Sequence, residues 1–327
     1  METKETETNV LVVMPMDEGQ RKVLEAKAAG CSICYSSYQE ATKEMAEEAD
    51  VIIGNIPVSL LRHCQRLKLL QLNSAGANPY ADPGVLPEGV RLCCASGAYG
   101  LSLAEYMVGE ILAVKRKLYL YHDNQQKQIW REEGSVTSIY GSTTLIWGLG
   151  DIGREFALRM RAMGSYIIGI RRHQAAKPDY VDEIYTTVQV DQVLGRADIV
   201  AMSLPGTPDT AHIVGMERLM RMKKDAILLN VGRGNAIDPD ALLTVLQAGH
   251  LGSVILDVTE PEPLPADSLL WTIDRVHITP HIAGKFHLRE TVNRITAIAA
   301  ENLENLRKGE VLKNQVDLDT GYRTFRE

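Results

Sequence analysis

The chain has 327 residues, of which 45% are hydrophobic and 24% charged, and its formal net charge is −7. At roughly 150 residues per domain this length predicts about two domains, and the ordinary composition argues against disorder. The acidic balance offers no basic field to phosphate backbones or anionic lipid, so we expect neither nucleic acid nor a membrane as partner. No apolar run approaches the roughly 18 to 20 residues of a membrane span, and the start METKETETN lacks an export signal. We therefore expect a cytoplasmic protein.

The first hundred residues alternate short apolar runs with helical stretches, a pattern typical of parallel sheets with crossover helices. The predicted strands are residues 10–14, 31–35, 51–54, 67–72 and 90–94. They predict a small, five-stranded, doubly wound, flavodoxin-like unit.

Five cysteines, an odd number, all lie within residues 31–94, which is not a secreted disulfide framework. Cys31 and Cys34 form a CxxC within a predicted strand, where side chains three apart point to opposite faces and cannot hold one ion together. We interpret them as reduced, buried apolar side chains and expect no metal site. The alternative is metal or redox use, for which no second ligand pair completes a zinc set.

A second series of strands is predicted at residues 144–147, 166–170, 198–204, 226–231, 253–258 and 276–279. Six strands suit a dinucleotide-binding Rossmann sheet. The tail at 290–307 is an amphipathic helix that we expect to cross back to the first domain. The fold class is therefore α/β with two doubly wound parallel-sheet domains. We expect a substrate domain at 1–98 plus 286–327 and a dinucleotide-binding domain at 99–285.

Between the two series, residues 102–120 are predicted to form a helix whose apolar residues cover more than one face. Such a helix is buried on two sides. We favour a homodimer partner as the second surface, and a contact within the chain is the alternative.

A glycine motif, GLGDIG, follows the strand TTLIW and precedes a helical run. Gly148, Gly150 and Gly153, with Asp151 and Ile152 between them, form the GxGxxG pattern in its required strand-to-helix context. The glycines let a pyrophosphate approach the backbone at a helix N-terminus, where free N–H groups favour negative charge. The alternative is a tight turn without a ligand.

The residues at the end of the second strand of this unit indicate which dinucleotide the protein prefers. An NAD site places Asp or Glu on the ribose hydroxyls, but this chain has Arg171, Arg172 and His173 there. Two guanidinium groups suit a 2′-phosphate. We therefore expect NADP(H) in preference to NAD(H), the alternative being an ordinary solvated arginine pair.

Three further polar residues follow successive predicted strands: Arg233, Glu262 and His281. The carboxyl ends of parallel strands form one edge, to which the glycine turn also delivers a dinucleotide. We expect a reactive group of residues beside the cofactor.

The segments GLGDIG, LPGTPDTAHIVG, NVGRGNAID, LDVTEPEPLP and TPHIAG, in that order, resemble the D-isomer-specific 2-hydroxyacid dehydrogenase family, in particular its glyoxylate/hydroxypyruvate reductases. ASGAYGLSLAEYMVGEIL and NSAGANPY extend the match over nearly the whole chain. The resemblance assigns Arg233, Glu262 and His281 as the catalytic residues.

In that family the reaction is hydride transfer between NAD(P)H and a small 2-keto acid. The resemblance implies that His281, paired with Glu262, is the general acid/base and that Arg233 binds the substrate. It implies that backbone amides at Ser74, Ala75 and Gly76 hold the substrate carboxylate. The positions that it implies for the cofactor are Pro205, Thr210, Val231, Asp257 and Gly284. Asn78 and Tyr80 are expected to shape the substrate mouth.

Two other functions stay open. The same fold serves dinucleotide-sensing co-repressors, although this chain keeps the complete Arg, Glu and His set. Other relatives oxidise formate or phosphite, and fold alone does not separate these activities.

Overall fold

The computed structural model describes residues 7–323. The strands are β1 Thr8–Val12, β2 Cys31–Tyr35, β3 Val51–Ile53, β4 Leu69–Gln71, β5 Arg91–Cys93, β6 Thr143–Trp147, β7 Tyr166–Arg171, β8 Glu183–Thr186, β9 Ile199–Met202, β10 Ile227–Asn230, β11 Ser253–Leu256, β12 Val276–Ile278, β13 Val316–Asp317 and β14 Tyr322–Arg323. The helices are α1 Glu18–Glu25, α2 Lys43–Glu48, α3 Val58–Leu61, α4 Gly100–Lys115, α5 Leu118–Gln126, α6 Asp151–Ala162, α7 Met216–Arg221, α8 Pro239–Gln247 and α9 Arg289–Lys308.

The chain divides into two compact units. Unit 1 consists of Met1–Tyr99 and Phe286–Glu327, and unit 2 of Gly100–Lys285. The sheet of unit 1 has the order β2-β1-β3-β4-β5, and every neighbouring pair is parallel. The helix α9 packs against α1 of this unit, where the Gln20 amide donates a hydrogen bond to Asn293 at 3.0 Å.

Unit 2 contains a seven-stranded sheet with the order β12-β11-β10-β9-β6-β7-β8, again wholly parallel. The predicted α/β class with two parallel-sheet domains is confirmed. The prediction of six strands in the second sheet is wrong, because β8 adds a seventh. Its sequence, EIYT, is a half-buried edge strand without the apolar run that marks the central strands.

The predicted single helix at 102–120 is two helices. Lys117, whose φ is 58°, interrupts it, and the Lys117 ammonium donates a hydrogen bond to the Glu133 carbonyl. Leu103, Met107 and Ile111 of α4 are buried, and α4 packs on α6. The apolar residues at the start of α5 are exposed instead.

The cysteines are free, but the interpretation of both CxxC side chains as buried is wrong. Cys31 is half-buried and Cys34 is exposed, because β2 is an edge strand with one face open to solvent. Within residues 7–323 no His, Cys, Asp and Glu side chains gather in a group of three that could hold a metal. Across the same residues, no helix has the length and apolar character to cross a membrane. The expectation about an export signal falls partly on Met1–Thr6, which lie outside the described residues.

Candidate active site

Three polar residues follow neighbouring strands at the carboxyl edge of the unit 2 sheet. Arg233 follows β10, Glu262 follows β11 and His281 follows β12, and these strands are adjacent and parallel. Parallel strands release their loops at one edge, so the topology brings the three residues to the same side of the sheet.

His281 and Glu262 form a hydrogen-bonded pair. The distance from His281 Nδ1 to Glu262 Oε1 is 2.7 Å, and the two side chains are 45% and 44% exposed. Because a carboxylate only accepts, Nδ1 carries the proton in this bond. Nε2 has no hydrogen bond to any residue within 7–323, so it is the ring atom free to exchange a proton with a bound molecule.

The backbone of His281 is in the left-handed region, with φ of 53°. Asp257, which is 2% exposed, holds it there. The Asp257 carbonyl accepts from the His281 N–H at 2.8 Å, and its carboxylate accepts from the N–H groups of Ile282 at 2.9 Å and Ala283 at 3.1 Å. This unusual conformation is therefore maintained by hydrogen bonds to the backbone and side chain of a buried residue.

Two hydroxyl groups extend this network. The Thr279 hydroxyl donates to the Asp257 carboxylate at 2.6 Å, and the Tyr106 hydroxyl lies 2.6 Å from the Thr279 oxygen. Burial raises the pKa of Tyr106, so it remains a neutral donor. Sequence reasoning missed Tyr106 and Thr279, since neither stands in a motif that carries chemistry.

Arg233 is the exposed residue of a turn, residues 231–236, which we call the Arg233 turn. The buried Asn230 side chain fixes its backbone, donating to the Arg233 carbonyl at 2.9 Å and accepting from the Gly232 N–H at 3.0 Å. A Cβ on Gly234 would lie 1.9 Å from the Thr259 carbonyl oxygen, so the turn packs directly on the loop after β11. The Arg233 guanidinium bonds only the adjacent Gly232 carbonyl, at 2.8 Å, among the described residues, and is available to an anion.

The glycine motif forms the turn between β6 and α6. Gly148 has φ of 107°, and a Cβ on Gly153 would lie 2.0 Å from the Gly148 carbonyl oxygen, so the turn tolerates only glycine. Gly150 is the N-cap of α6 without a side-chain cap, and the space around it is open. The Asp151 carboxylate turns away to accept from the Gly100 N–H at 2.7 Å, and Ile152 is half-buried. This cradle fits a pyrophosphate.

Arg171 ends β7 and Arg172 follows it. Arg171 Nη2 lies 3.4 Å from the Tyr180 hydroxyl, while its buried Nε has no partner among the described residues. Arg172 Nη2 makes a long, exposed ion pair with Asp209 at 3.4 Å. Two loosely held guanidinium groups at the end of this strand fit the extra phosphate of NADP.

The remaining positions assigned to the cofactor lie at the same edge of unit 2. Pro205 is exposed, and Val231 is buried beside β10. Gly284 follows residues 281–283, which we call the His281 turn. The Thr210 hydroxyl donates to the Pro205 carbonyl at 2.6 Å, which closes the loop after β9.

In unit 1, the Ser74, Ala75 and Gly76 loop follows β4. The Ser74 hydroxyl donates to the Gly76 carbonyl at 2.7 Å, and the Ser74 carbonyl accepts from the Ala95 N–H at 2.8 Å. Within residues 7–323 the N–H groups of Ala75 and Gly76 make no hydrogen bond, which leaves two donors for an anion. The expectation that Tyr80 shapes a substrate mouth is wrong, because Tyr80 is buried with its hydroxyl on the Ile56 carbonyl at 2.9 Å.

This chain is similar in sequence and in fold to known proteins. The family model "D-isomer specific 2-hydroxyacid dehydrogenase, NAD binding domain" matches residues 108–283. Glyoxylate/hydroxypyruvate reductase B of Yersinia pestis is 30% identical over 83% of this chain and 85% of its own. D-3-phosphoglycerate dehydrogenase of Methanocaldococcus jannaschii is 28% identical over 94% of this chain, which spans only 59% of that protein's length.

Two solved structures have the same fold. A D-isomer specific 2-hydroxyacid dehydrogenase family protein from Aeromonas salmonicida aligns with a TM-score of 0.86 and 29% identity over 96% of this chain and 100% of that one. The NADPH-dependent glyoxylate/hydroxypyruvate reductase of Sinorhizobium meliloti, solved with NADP and sulfate, aligns with a TM-score of 0.80 and 25% identity over 96% and 100% of the two chains. The chain therefore belongs to the D-isomer specific 2-hydroxyacid dehydrogenase family and is an oxidoreductase with an NAD(P)-binding domain.

Proposed function

We propose that this protein reduces a small 2-keto acid to its D-2-hydroxy acid with NADPH. The observation that carries the proposal is the His281–Glu262 hydrogen bond at 2.7 Å, on the sheet edge that also bears Arg233 and the glycine turn. Residues 99–285 are proposed to bind the dinucleotide, and residues 1–98 with 286–327 to form the substrate domain.

His281 is proposed as the proton donor. When bound, reduced nicotinamide supplies a hydride to the carbonyl carbon of the substrate, and negative charge develops on the carbonyl oxygen. Nε2 of protonated His281 gives its proton to that oxygen, so the product is the hydroxy acid and His281 becomes neutral. Glu262 stabilises the imidazolium and orients the ring through Nδ1.

A guanidinium group and a pair of backbone N–H groups are proposed to hold the substrate. Arg233 pairs with the substrate carboxylate and polarises the carbonyl oxygen. Its guanidinium is available for this, because among the residues that the structure describes it bonds only the adjacent Gly232 carbonyl. The N–H groups of Ala75 and Gly76, on the loop that begins at Ser74, provide a second carboxylate contact.

NADP(H) is proposed over NAD(H). The support is the buried Nε of Arg171, which has no partner within residues 7–323, and the weak ion pair of Arg172, where an NAD site would have a carboxylate. The cofactor positions are otherwise the glycine turn, Gly148–Gly153, and the edge residues Pro205, Thr210, Val231, Asp257 and Gly284. The Sinorhizobium reductase named above is NADPH-dependent.

A homodimer in the cytoplasm completes the proposal. Leu118, Leu120, Ile129 and Trp130 expose an apolar surface along α5 and the segment after it, which suits a second copy of the chain. Five free cysteines suit a reducing compartment. Light scattering is expected to give twice the mass of one chain.

The decisive assay follows NADPH and NADH oxidation with glyoxylate, hydroxypyruvate, pyruvate and branched 2-oxo acids. We expect turnover with NADPH in preference to NADH. His281→Ala is expected to lower kcat by at least about 10²-fold with NADPH binding retained. Turnover that favours NADH would refute the cofactor choice alone. No turnover with either cofactor, despite dinucleotide binding, would favour a sensor.

A further inference from the structure

A second histidine–carboxylate pair lies on the same sheet edge. His212 Nε2 and Glu260 Oε2 are 2.6 Å apart. Glu260 belongs to the loop after β11 that also carries Glu262, and His212 lies on the connection between β9 and α7. Like His281, His212 has a left-handed backbone, with φ of 50°. Such a conformation in a residue other than glycine persists only where surrounding bonds hold it.

Backbone bonds connect His212 to the Arg233 turn. The His212 N–H donates to the Asn235 carbonyl at 2.7 Å, and the Val214 N–H donates to the Ala236 carbonyl at 3.0 Å. The other side of this turn packs on the β11 loop through Gly234 and Thr259. His212 is thus fixed on one loop and bonds, through its ring, to the loop that carries Glu262.

The pair is charge-assisted. The hydrogen bond to Glu260 raises the pKa of His212, burial opposes this, and the carboxylates of Asp238 and Asp240 also favour the imidazolium. The side chains are 51% and 39% exposed. An ion pair so exposed adds little to the free energy of unfolding. Its effect is therefore on the position of the β11 loop rather than on the stability of the fold.

We infer that His212 is a positioning residue, which holds Glu260 and thereby fixes Glu262 against Nδ1 of His281. The inference rests on the proposed function of that pair. Glu260 and Glu262 are separated by a single residue, so a shift of one moves the other. Displacement of an orienting group by about 1 Å can cost about 10²-fold in rate.

The test compares His212→Gln, Glu260→Gln and the double variant in steady-state NADPH oxidation. We expect each single variant to lower kcat about tenfold with an unchanged Kd for NADPH, and the double variant to match the singles, because both remove one interaction. In a Glu262→Gln background, His212→Gln is expected to have no further effect. Glu217→Gln, which breaks the exposed Glu217–Arg221 pair on α7, is the matched control and should behave as the wild type.

A second measurement does not depend on turnover. The His212 ring protons are followed by NMR across pH, and Glu260→Gln is expected to lower the titration midpoint of His212. An unchanged midpoint, or normal kcat in His212→Gln and Glu260→Gln while the wild type is active, overturns the inference alone. A wild type that turns over no 2-keto acid overturns the proposed function, and the positioning role with it.

Discussion

Gly234→Ala tests how the Arg233 turn packs on the β11 loop. The added Cβ would lie 1.9 Å from the Thr259 carbonyl oxygen and 2.1 Å from its carbon. Both neighbours are backbone atoms, which cannot rotate away as the end of a flexible side chain would. The turn and the loop must therefore separate.

The size of the effect follows from that distance. Reaching ordinary van der Waals separation requires a movement of about 1.5 Å. Overpacking of this kind costs about 1–3 kcal/mol of folding free energy. If Arg233 binds substrate, a shift of this size should lower kcat/KM about 10²-fold.

Urea unfolding and steady-state kinetics measure the two effects. Gly109→Ala is the matched control, because Gly109 lies within α4 with open space around its Cβ position. This control should keep full activity and gain about 0.5–1 kcal/mol in stability. Wild-type stability and kcat/KM in Gly234→Ala would show that the turn does not pack on Thr259.

Three further changes have defined outcomes. Asp257→Asn removes the carboxylate that accepts from the N–H groups of the His281 turn, so it should lower the free energy of unfolding by about 2 kcal/mol and reduce kcat. An unfolding curve equal to that of the wild type would contradict this. Asp209→Asn frees Arg172 and should tighten NADPH binding about twofold to fivefold in a fluorescence titration, with no change for NADH. The hydrogen bond from Arg196 lowers the pKa of Glu183 from 4.5 to about 2, so its stabilisation is complete above pH 4.5 and disappears as the pH falls to about 2. After allowance for solvent screening, Glu183→Gln should therefore lower the free energy of unfolding by about 1 kcal/mol at pH 7 and leave it unchanged at pH 2. A difference in unfolding free energy between variant and wild type that stays constant across that pH range would refute the reasoning.

The sequence predicted the sheet cores well, because central parallel strands are buried on both faces. The strands β9, β10 and β11 are buried at every position, and they are apolar except for Asn230 at the end of β10 and Ser253 at the start of β11. Their order then placed Arg233, Glu262 and His281 on one edge. The edge strand β8 carries no such run, so periodicity could not find it.

The interactions that shape the site lie beyond local patterns. Glu260 and His212 are 48 residues apart in sequence, and Tyr106 is 173 residues from Thr279. The resemblance implies a cofactor position for Asp257, but it gives no sign that the Asp257 carboxylate accepts from the N–H groups of Ile282 and Ala283. Contacts of this kind depend on side-chain packing between loops, which no spacing in the sequence records.

Both members of the His281–Glu262 pair depend on β11. Glu262 is attached to this strand through its own loop, and His281 is held to it through the Asp257 carboxylate. The geometry of the pair is thus set by the loops that follow two adjacent parallel strands, β11 and β12. If unit 1 holds the substrate, as proposed, substitutions in its loops change the range of substrates and leave the His281–Glu262 pair intact. Under the proposed function, the residues that select the substrate and the residues that transfer the proton therefore belong to different parts of the chain.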